Sequence, residues 1–436
     1  PSFLLLFAVW GIYNGRELQK TDCIRRFRFC SRRWRPFGGA CMKIVSETFC
    51  PDFSVPEVFL SGDDVFFDIE TTGLNWRRSH LYLIGAAVFR PESGLWELTQ
   101  WFADQPAREL DLLEAFADFL RPFRRLIHYN GTGFDLPYLR NKYEFYHLEN
   151  PFASMDTLDL YLRFRPYQRL FGLSSMKQKS LEAFAGFSRK DRFSGGELIE
   201  VYEKYLSSAD DSLLQMLYLH NREDLTGMVQ TLSLYGIPSL FSGRFQLSGA
   251  FFRNPDEESG GHAPETKSAS GSMPLSDREP QVPGSAAGSP ALVLGLDLEF
   301  PVARPFHTES GRYSLTVSGK KAELTISGQK RELKFFFPNY KDYYYLPLED
   351  AAIHKSVGAY VDADHREKAK AANCYQRHFA LYFPQPSELL SPVFREDYRA
   401  KQLYFEWKDD LKKDRKFLTR YTAAVLSEIC SAAHEE

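Results

Sequence analysis

Val65-Phe66-Phe67-Asp68-Ile69-Glu70-Thr71-Thr72-Gly73-Leu74 is the stretch on which the fold turns. It reads as a strand: apolar residues lead into Asp68 and Glu70, which stand two positions apart. Side chains alternate across a strand, so these carboxylates share one face while Phe67 and Ile69 turn to the other, toward a core. Two like charges at the end of an apolar strand repel each other and are costly to desolvate. A divalent cation resolves the conflict, because Mg²⁺ and Mn²⁺ are hard ions that take carboxylate oxygens. An exposed edge strand with solvated acids is the plainer alternative. Thr71-Thr72-Gly73 then breaks the strand and lets backbone approach a ligand closely.

Working outward, Leu81 to Phe89 and Trp96 to Phe102 read as two further strands, joined by the turn Pro91-Glu92-Ser93-Gly94 into an antiparallel meander. Residues 108–121 place Leu110, Leu113, Phe116, Ala117 and Leu120 on one helical face. Leu126-Ile127-His128-Tyr129 is a fourth strand, running into Asn130-Gly131-Thr132-Gly133-Phe134-Asp135. The two glycines make a sharp strand-to-helix turn, and Asp135 opens the next helix, with Pro137 in its first turn. Taken alone, Asp135 is better read as a plain helix cap. Residues 155–164 read as a helix, which Asp156 caps rather than extending the acidic site. From Arg163 to Arg192, basic residues interleave with Tyr167, Phe171 and Phe187, a pattern that suits a strand-tracking surface or a solvated face. A long helix follows, roughly Asp210 to Tyr235. On it His220 and Asp224 are four apart and share a face, whereas Glu223 points about 100° away from Asp224.

These segments resemble, in order, the three exonuclease motifs of the DEDD (DnaQ-like) nucleases, which share a ribonuclease-H-like α/β fold, a mixed sheet flanked by helices. Residues 62–238 look like the YprB-type member of that superfamily, and Ser188-Arg189-Lys190-Asp191-Arg192-Phe193-Ser194-Gly195-Gly196 fits the same subgroup. The resemblance implies a 3′–5′ exonuclease acting on single-stranded 3′ ends of DNA or RNA. Asp68, Glu70, Asp135 and Asp224 would hold two Mg²⁺ or Mn²⁺ ions, typically about 3.5–4 Å apart. Thr71, Thr72 and Leu74 would contact the terminal nucleotide through backbone and an apolar wedge, and Asn130 would buttress the second motif's turn or touch substrate. His220 would orient or deprotonate water, a task suited to an imidazole at neutral pH. One departure stands out. His220 has the spacing of the tyrosine subgroup but the residue type of the histidine subgroup, where Leu219 would have to be the histidine. The rival readings are a nuclease-fold module that binds nucleic acid without cutting it, and a partner-binding protein working through its C-terminal part.

At 436 residues two domains are expected. A net charge of −3 gives no global basic signal, so nucleic-acid contact requires a local patch. The cysteines Cys23, Cys30, Cys41, Cys50, Cys374 and Cys430 form no CxxC pair and no zinc spacing, which favours unpaired thiols in the cytoplasm. No apolar run reaches the length of a membrane span. The apolar and then basic residues 1–41 reverse the order of a signal peptide, and Met42-Lys43-Ile44-Val45 reads as a natural start. Residues 1–41 are therefore expected to be non-native upstream sequence, disordered or loosely packed, or else a basic nucleic-acid arm. Residues 254–290 are rich in Gly, Ser, Pro and charge and read as a flexible linker. Residues 291–436 should form a smaller α+β domain without a recognisable chemistry. Its expected strands cover residues 313–317, 322–326 and 332–337, and its expected helices run over residues 350–360, 365–374 and 404–429.

Overall fold

The structure is a computed structural model that describes residues 42–253 and 289–435. The expectations for residues 1–41 and for nearly all of the 254–290 linker lie outside the described residues. The chain divides into two compact units. The first is assembled from the residues up to Leu160 together with Ser188–Gln230, the second from Tyr161–Phe187 and Thr231–Glu436. This division cuts differently from the expected span of 62–238, because Tyr161–Phe187 and the residues after Gln230 group with the C-terminal half.

The first unit is built on a sheet of six strands: β1 (Lys43–Phe49), β2 (Asp64–Thr71), β3 (Leu81–Arg90), β4 (Leu95–Phe102), β5 (Arg125–His128) and β6 (Asp156–Asp159). Their order is β1-β4-β3-β2-β5-β6. The meander β2–β3–β4 is antiparallel as expected, and β1 adds an antiparallel edge beside β4. β5 and β6 run parallel to β2. The sheet is therefore mixed, and the end of β2 and the turn after β5 lie at the same edge, where α/β sheets place their ligands. Residues 156–159 pair as a strand where a helix was expected; only α3 (Leu160–Phe164) is helical there. A polar four-residue segment has too little periodicity to separate the two.

Helices cover both faces. α1 (Glu109–Leu120) and α2 (Asp135–Phe145) pack Leu112, Leu113, Phe116, Leu139 and Tyr143 against Val65, Phe67 and Ile69. On the opposite face α5 (Gly195–Ser208) and α6 (Asp211–Thr231) pack Leu198, Tyr202, Leu214 and Leu217 against Tyr82, Leu83 and Phe102. Between α3 and α5 lies α4 (Gln178–Phe184). A capping box closes the start of α5: Ser194 and Glu197 satisfy each other's exposed N–H groups. Phe67 and Ile69 thus point into a core while Asp68 and Glu70 face α6, as alternation requires.

In the second unit, α7 (Gly236–Phe241) precedes β7 (Phe245–Arg253), which joins β8 (Ala291–Ser310) and β9 (Tyr313–Ser327) in a three-stranded sheet. The two expected strands at 313–317 and 322–326 are one strand. Ser318-Gly319 is not a turn: Gly319 takes a positive φ of 56° where the β8–β9 register shifts, which is the work of a bulge. Next come β10 (Gln329–Phe336), β11 (Tyr343–Leu346), β12 (Ala351–His354), the one-turn α8 (Lys355–Gly358), β13 (Glu367–Lys368), β14 (Tyr375–Gln385), β15 (Phe394–Arg395), β16 (Leu403–Glu406) and α9 (Arg415–Glu435). The expected helix at 350–360 survives only as the single turn α8, and the one expected at 365–374 does not form. Ala351–His354 instead pairs with β11, as does β13, so sheet pairing overrides local helix preference. The expected helix at 404–429 begins eleven residues later, because Leu403–Glu406 closes a small barrel, β10-β14-β16-β15. Among the described residues no helix is long and apolar enough to cross a membrane.

Candidate active site

Asp68 and Glu70 occupy the last turns of the β2 pleat, just before the register shift between Glu70 and Thr71. Opposite Asp68 on β3 stands Gly85. A Cβ there would lie 2.0 Å from the Asn221 side-chain oxygen, so glycine is what lets α6 approach the sheet. Asn221, fully buried, fills the space. Its Nδ2 donates to Asp68 Oδ2 at 2.9 Å, and its Oδ1 accepts from Gln100 Nε2 at 3.0 Å.

Asp135 is the first residue of α2 and is buried. The pairing of β2 with β5 ends at Phe66, and the backbone N–H groups near Ile69 and at the start of α2 favour the ionised Asp135 carboxylate, opposing part of the effect of burial. The turn that delivers Asp135 is held from below: Asp159 accepts the N–H groups of Asn130 (2.8 Å) and Thr132 (3.2 Å), and His128 Nδ1 accepts that of Gly131 (3.1 Å). Asn130 takes a positive φ of 60° and its carbonyl accepts the Gly133 N–H, so it shapes the turn through its backbone.

On α6, His220 Nε2 lies 3.2 Å from Asp224 Oδ2 and 3.7 Å from Glu70 Oε1. The charges of Asp224, Glu70 and Asp135 all bear on Asp68. Its carboxyl is pushed well above the usual carboxylate range, first by burial and then by these three neighbours, while the Asn221 hydrogen bond pulls the other way. Burial likewise raises Asp135 to about 7, with Asp159 and Asp224 adding to the effect. The expected residues Asp68, Glu70, Asp135, His220 and Asp224 are thus gathered in one place.

The donor chemistry fits a hard divalent cation. Glu70, His220 and Asp224 each offer a ligand atom within 4.8 Å of the others. The raised Asp68 and Asp135 carboxyls mark negative charge that lacks compensation in a desolvated pocket, which a cation would supply.

Thr71 ends β2, and the loop after it carries Thr72 and Leu74. Thr71 Oγ1 donates to the Gly73 carbonyl, Thr72 Oγ1 accepts the His80 N–H, and the Thr72 N–H donates to the His80 carbonyl. These groups tie the loop to itself, and Leu74 stands 84% exposed at its tip. Glu223 turns from the cluster as its helical offset demands and accepts the backbone N–H groups of Lys190 and Asp191. Asp156 is exposed on β6 and caps no helix.

Asn221, Gln100 and Asp159, which the sequence does not mark, adjoin the cluster, as do Arg189 and Asp191, which the subgroup stretch contains but gives no role. Arg189 Nη2 pairs with Asp224 Oδ1 at 2.5 Å, and Asp191 Oδ2 lies 2.7 Å from His220 Nδ1.

A family model of the RNase_H superfamily matches residues 65–235. No curated protein matches the chain. Among solved structures, the chain is similar to the family B DNA polymerase from the hyperthermophilic archaeon Pyrobaculum calidifontis, with 14% identity over 41% of this chain and 26% of that one, at a TM-score of 0.31. It is also similar to the zinc-ion-bound complex of E. coli ExoI with single-stranded DNA, with 19% identity, 36% and 43% coverage and a TM-score of 0.23. A third similarity is to product-bound exonuclease I, with 14% identity, 85% and 72% coverage and a TM-score of 0.23. The chain spans about a quarter of the polymerase and under half of the ExoI chain in the zinc-bound complex. The first unit has the ribonuclease-H-like fold, and a β-rich C-terminal unit is added to it.

Proposed function

We propose that this protein is a metal-dependent nuclease of the YprB-type, DEDD lineage, trimming single nucleic-acid strands from the 3′ end in the cytoplasm. One observation carries the reading: four carboxylates from three separate elements, with an imidazole among them, converge at the strand-end edge of a ribonuclease-H-like sheet. A scaffold that only binds has no use for acids held at such electrostatic cost.

Asp68, Glu70, Asp135 and Asp224 would hold the cations. Bound there, Mg²⁺ or Mn²⁺ would supply Lewis-acid activation of water and charge neutralisation at a phosphodiester. The chain's own residues do the rest. Asn221 holds the rotamer of Asp68, so that carboxylate is set before a ligand arrives. His220 presents Nε2 beside Glu70 and Asp224, within reach either to accept a proton from water or to complete a cation's ligand set. Both roles need the lone pair on that nitrogen. Arg189, on the edge of the cluster, supplies a guanidinium that can meet a phosphate once Asp224 is otherwise engaged.

The polarity is tested with single strands of DNA and RNA carrying the label at the 5′ end or at the 3′ end, incubated with the full chain and Mn²⁺. Trimming from the 3′ end gives a ladder of shortened products from the 5′-labelled strand and labelled mononucleotide from the 3′-labelled one. Internal fragments from both, formed at once, would contradict the directional part of the reading.

A further inference from the structure

The segment before α5 approaches the site with no periodic pattern of its own, yet it is pinned. Glu223 accepts the N–H of Lys190 at 3.0 Å with both oxygens and that of Asp191 at 2.8 Å. The clamp brings Asp191 against the back of His220, with side-chain exposures of 1% and 7%. Both carboxylate oxygens of Asp191 are committed: Oδ2 sits 2.7 Å from His220 Nδ1, and Oδ1 accepts the Phe193 N–H at 3.0 Å. An ionised carboxylate only accepts, and carboxylates face both ring nitrogens. Nδ1 makes the short hydrogen bond, at 2.7 Å to Asp191, while Nε2 stands 3.2 Å from Asp224 and 3.7 Å from Glu70, so the stronger acceptor contact draws the proton to Nδ1. The two nitrogens of an imidazole are not equivalent, and the bond made by one decides what the other offers.

We infer that Asp191 is a positioning residue that holds the His220 proton on Nδ1 and leaves the Nε2 lone pair directed at the Glu70–Asp224 side of the site. The inference rests on the nuclease reading for what Nε2 does, but the position of the proton is a property of the chain alone. Asparagine at position 191 is nearly isosteric with aspartate, and here its orientation is determined in advance. The Phe193 N–H needs an acceptor, so the amide oxygen stays there and the amide NH₂ turns to His220. A donor facing Nδ1 drives the proton to Nε2, the wrong nitrogen for either role.

The experiment uses the full chain with nitrogen-15-labelled histidine, without metal, at about pH 9, above the ordinary imidazole range near 6.5. His220 is assigned by the signal that disappears in His220→Gln. The expected spectrum has the proton on Nδ1 in the wild type and on Nε2 in Asp191→Asn. With Mn²⁺ and a single-stranded substrate, Asp191→Asn should lower kcat on the order of 10–100-fold, the usual span for a group that orients a functional histidine, with KM nearly unchanged. A wild-type His220 with bare Nδ1 overturns the inference, whether or not the variant folds. So does a variant that keeps the proton on Nδ1, or one that moves it and retains wild-type kcat. Should the wild type cut no nucleic acid, the nuclease reading fails while the proton measurement still decides the role of Asp191.

Discussion

Asp68 carries the strongest electrostatic conflict in the site, and its replacement separates chemistry from stability. Asp68→Asn keeps the shape and the Asn221 neighbour but removes a charge that faces three others. Cleavage should be abolished, while the melting temperature measured in EDTA stays level or rises, because like-charge repulsion falls. Residual activity above a few per cent would remove Asp68 from the ligand set. Asp135 has a pH signature of its own. Its carboxyl, raised from 3.8 to about 7 chiefly by burial, keeps its proton in the folded chain where the unfolded chain has lost it. The folded state binds more protons through that window, so this group's contribution to stability is present at low pH and declines as pH rises from 3.8 to about 7. Thermal melts without metal should therefore show Asp135→Asn gaining on the wild type as pH rises, and a constant difference would refute the assignment. His220→Ala should cost about 10²–10⁴ in kcat if the imidazole acts on water. A loss under about tenfold would make it a packing residue.

At the scale of elements, Gly85 is the joint between sheet and helix. Gly85→Ala puts a methyl where Asn221 now sits, so α6 must shift. Overpacking of this kind typically costs about 1–3 kcal/mol, and the shift should also separate His220 and Asp224 from Glu70. Chemical denaturation and kcat should both register the change; a variant with wild-type values in both would mean the contact is loose. The same elements explain what the sequence made legible. β2 announced its own two faces by alternation, and α6 declared His220 and Asp224 by their spacing. The acids could be placed because each sits on regular structure or at its margin. Asp191 and Arg189 could not, since they ride on an aperiodic segment that reaches the site only through the Glu223 clamp, a long-range contact with no local signature. β6 and β12 were read as helical because four-residue strands are decided by their partners, β5 and β11, and not by their own residues. The Thr71 and Thr72 hydroxyls close their own loop, a role that no periodicity announces.

For the whole molecule, the second unit draws on residues from both sides of the 254–290 segment. β7 pairs along its length with β8, and α7 places Gly236 so close to the Phe300 and Pro301 carbonyls that no Cβ would fit. A chain ending at Arg253 keeps β7 and α7 but loses the strand that covers them, uncovering Leu247, Ile237 and Leu240, all buried in the intact unit. Such a truncated chain should associate in size-exclusion chromatography and melt without cooperativity. A monomeric, cooperatively melting fragment would show that the C-terminal unit is dispensable for folding. Whether the carboxylate cluster at the end of β2 is a metal-dependent nuclease centre is decided by cleavage of end-labelled single strands by the purified full chain and by Asp68→Asn, each with Mn²⁺ and with EDTA. The wild type with Mn²⁺ should shorten the strand, and the other three reactions should leave it intact. Equal cleavage by Asp68→Asn, or cleavage that survives EDTA, would contradict that assignment.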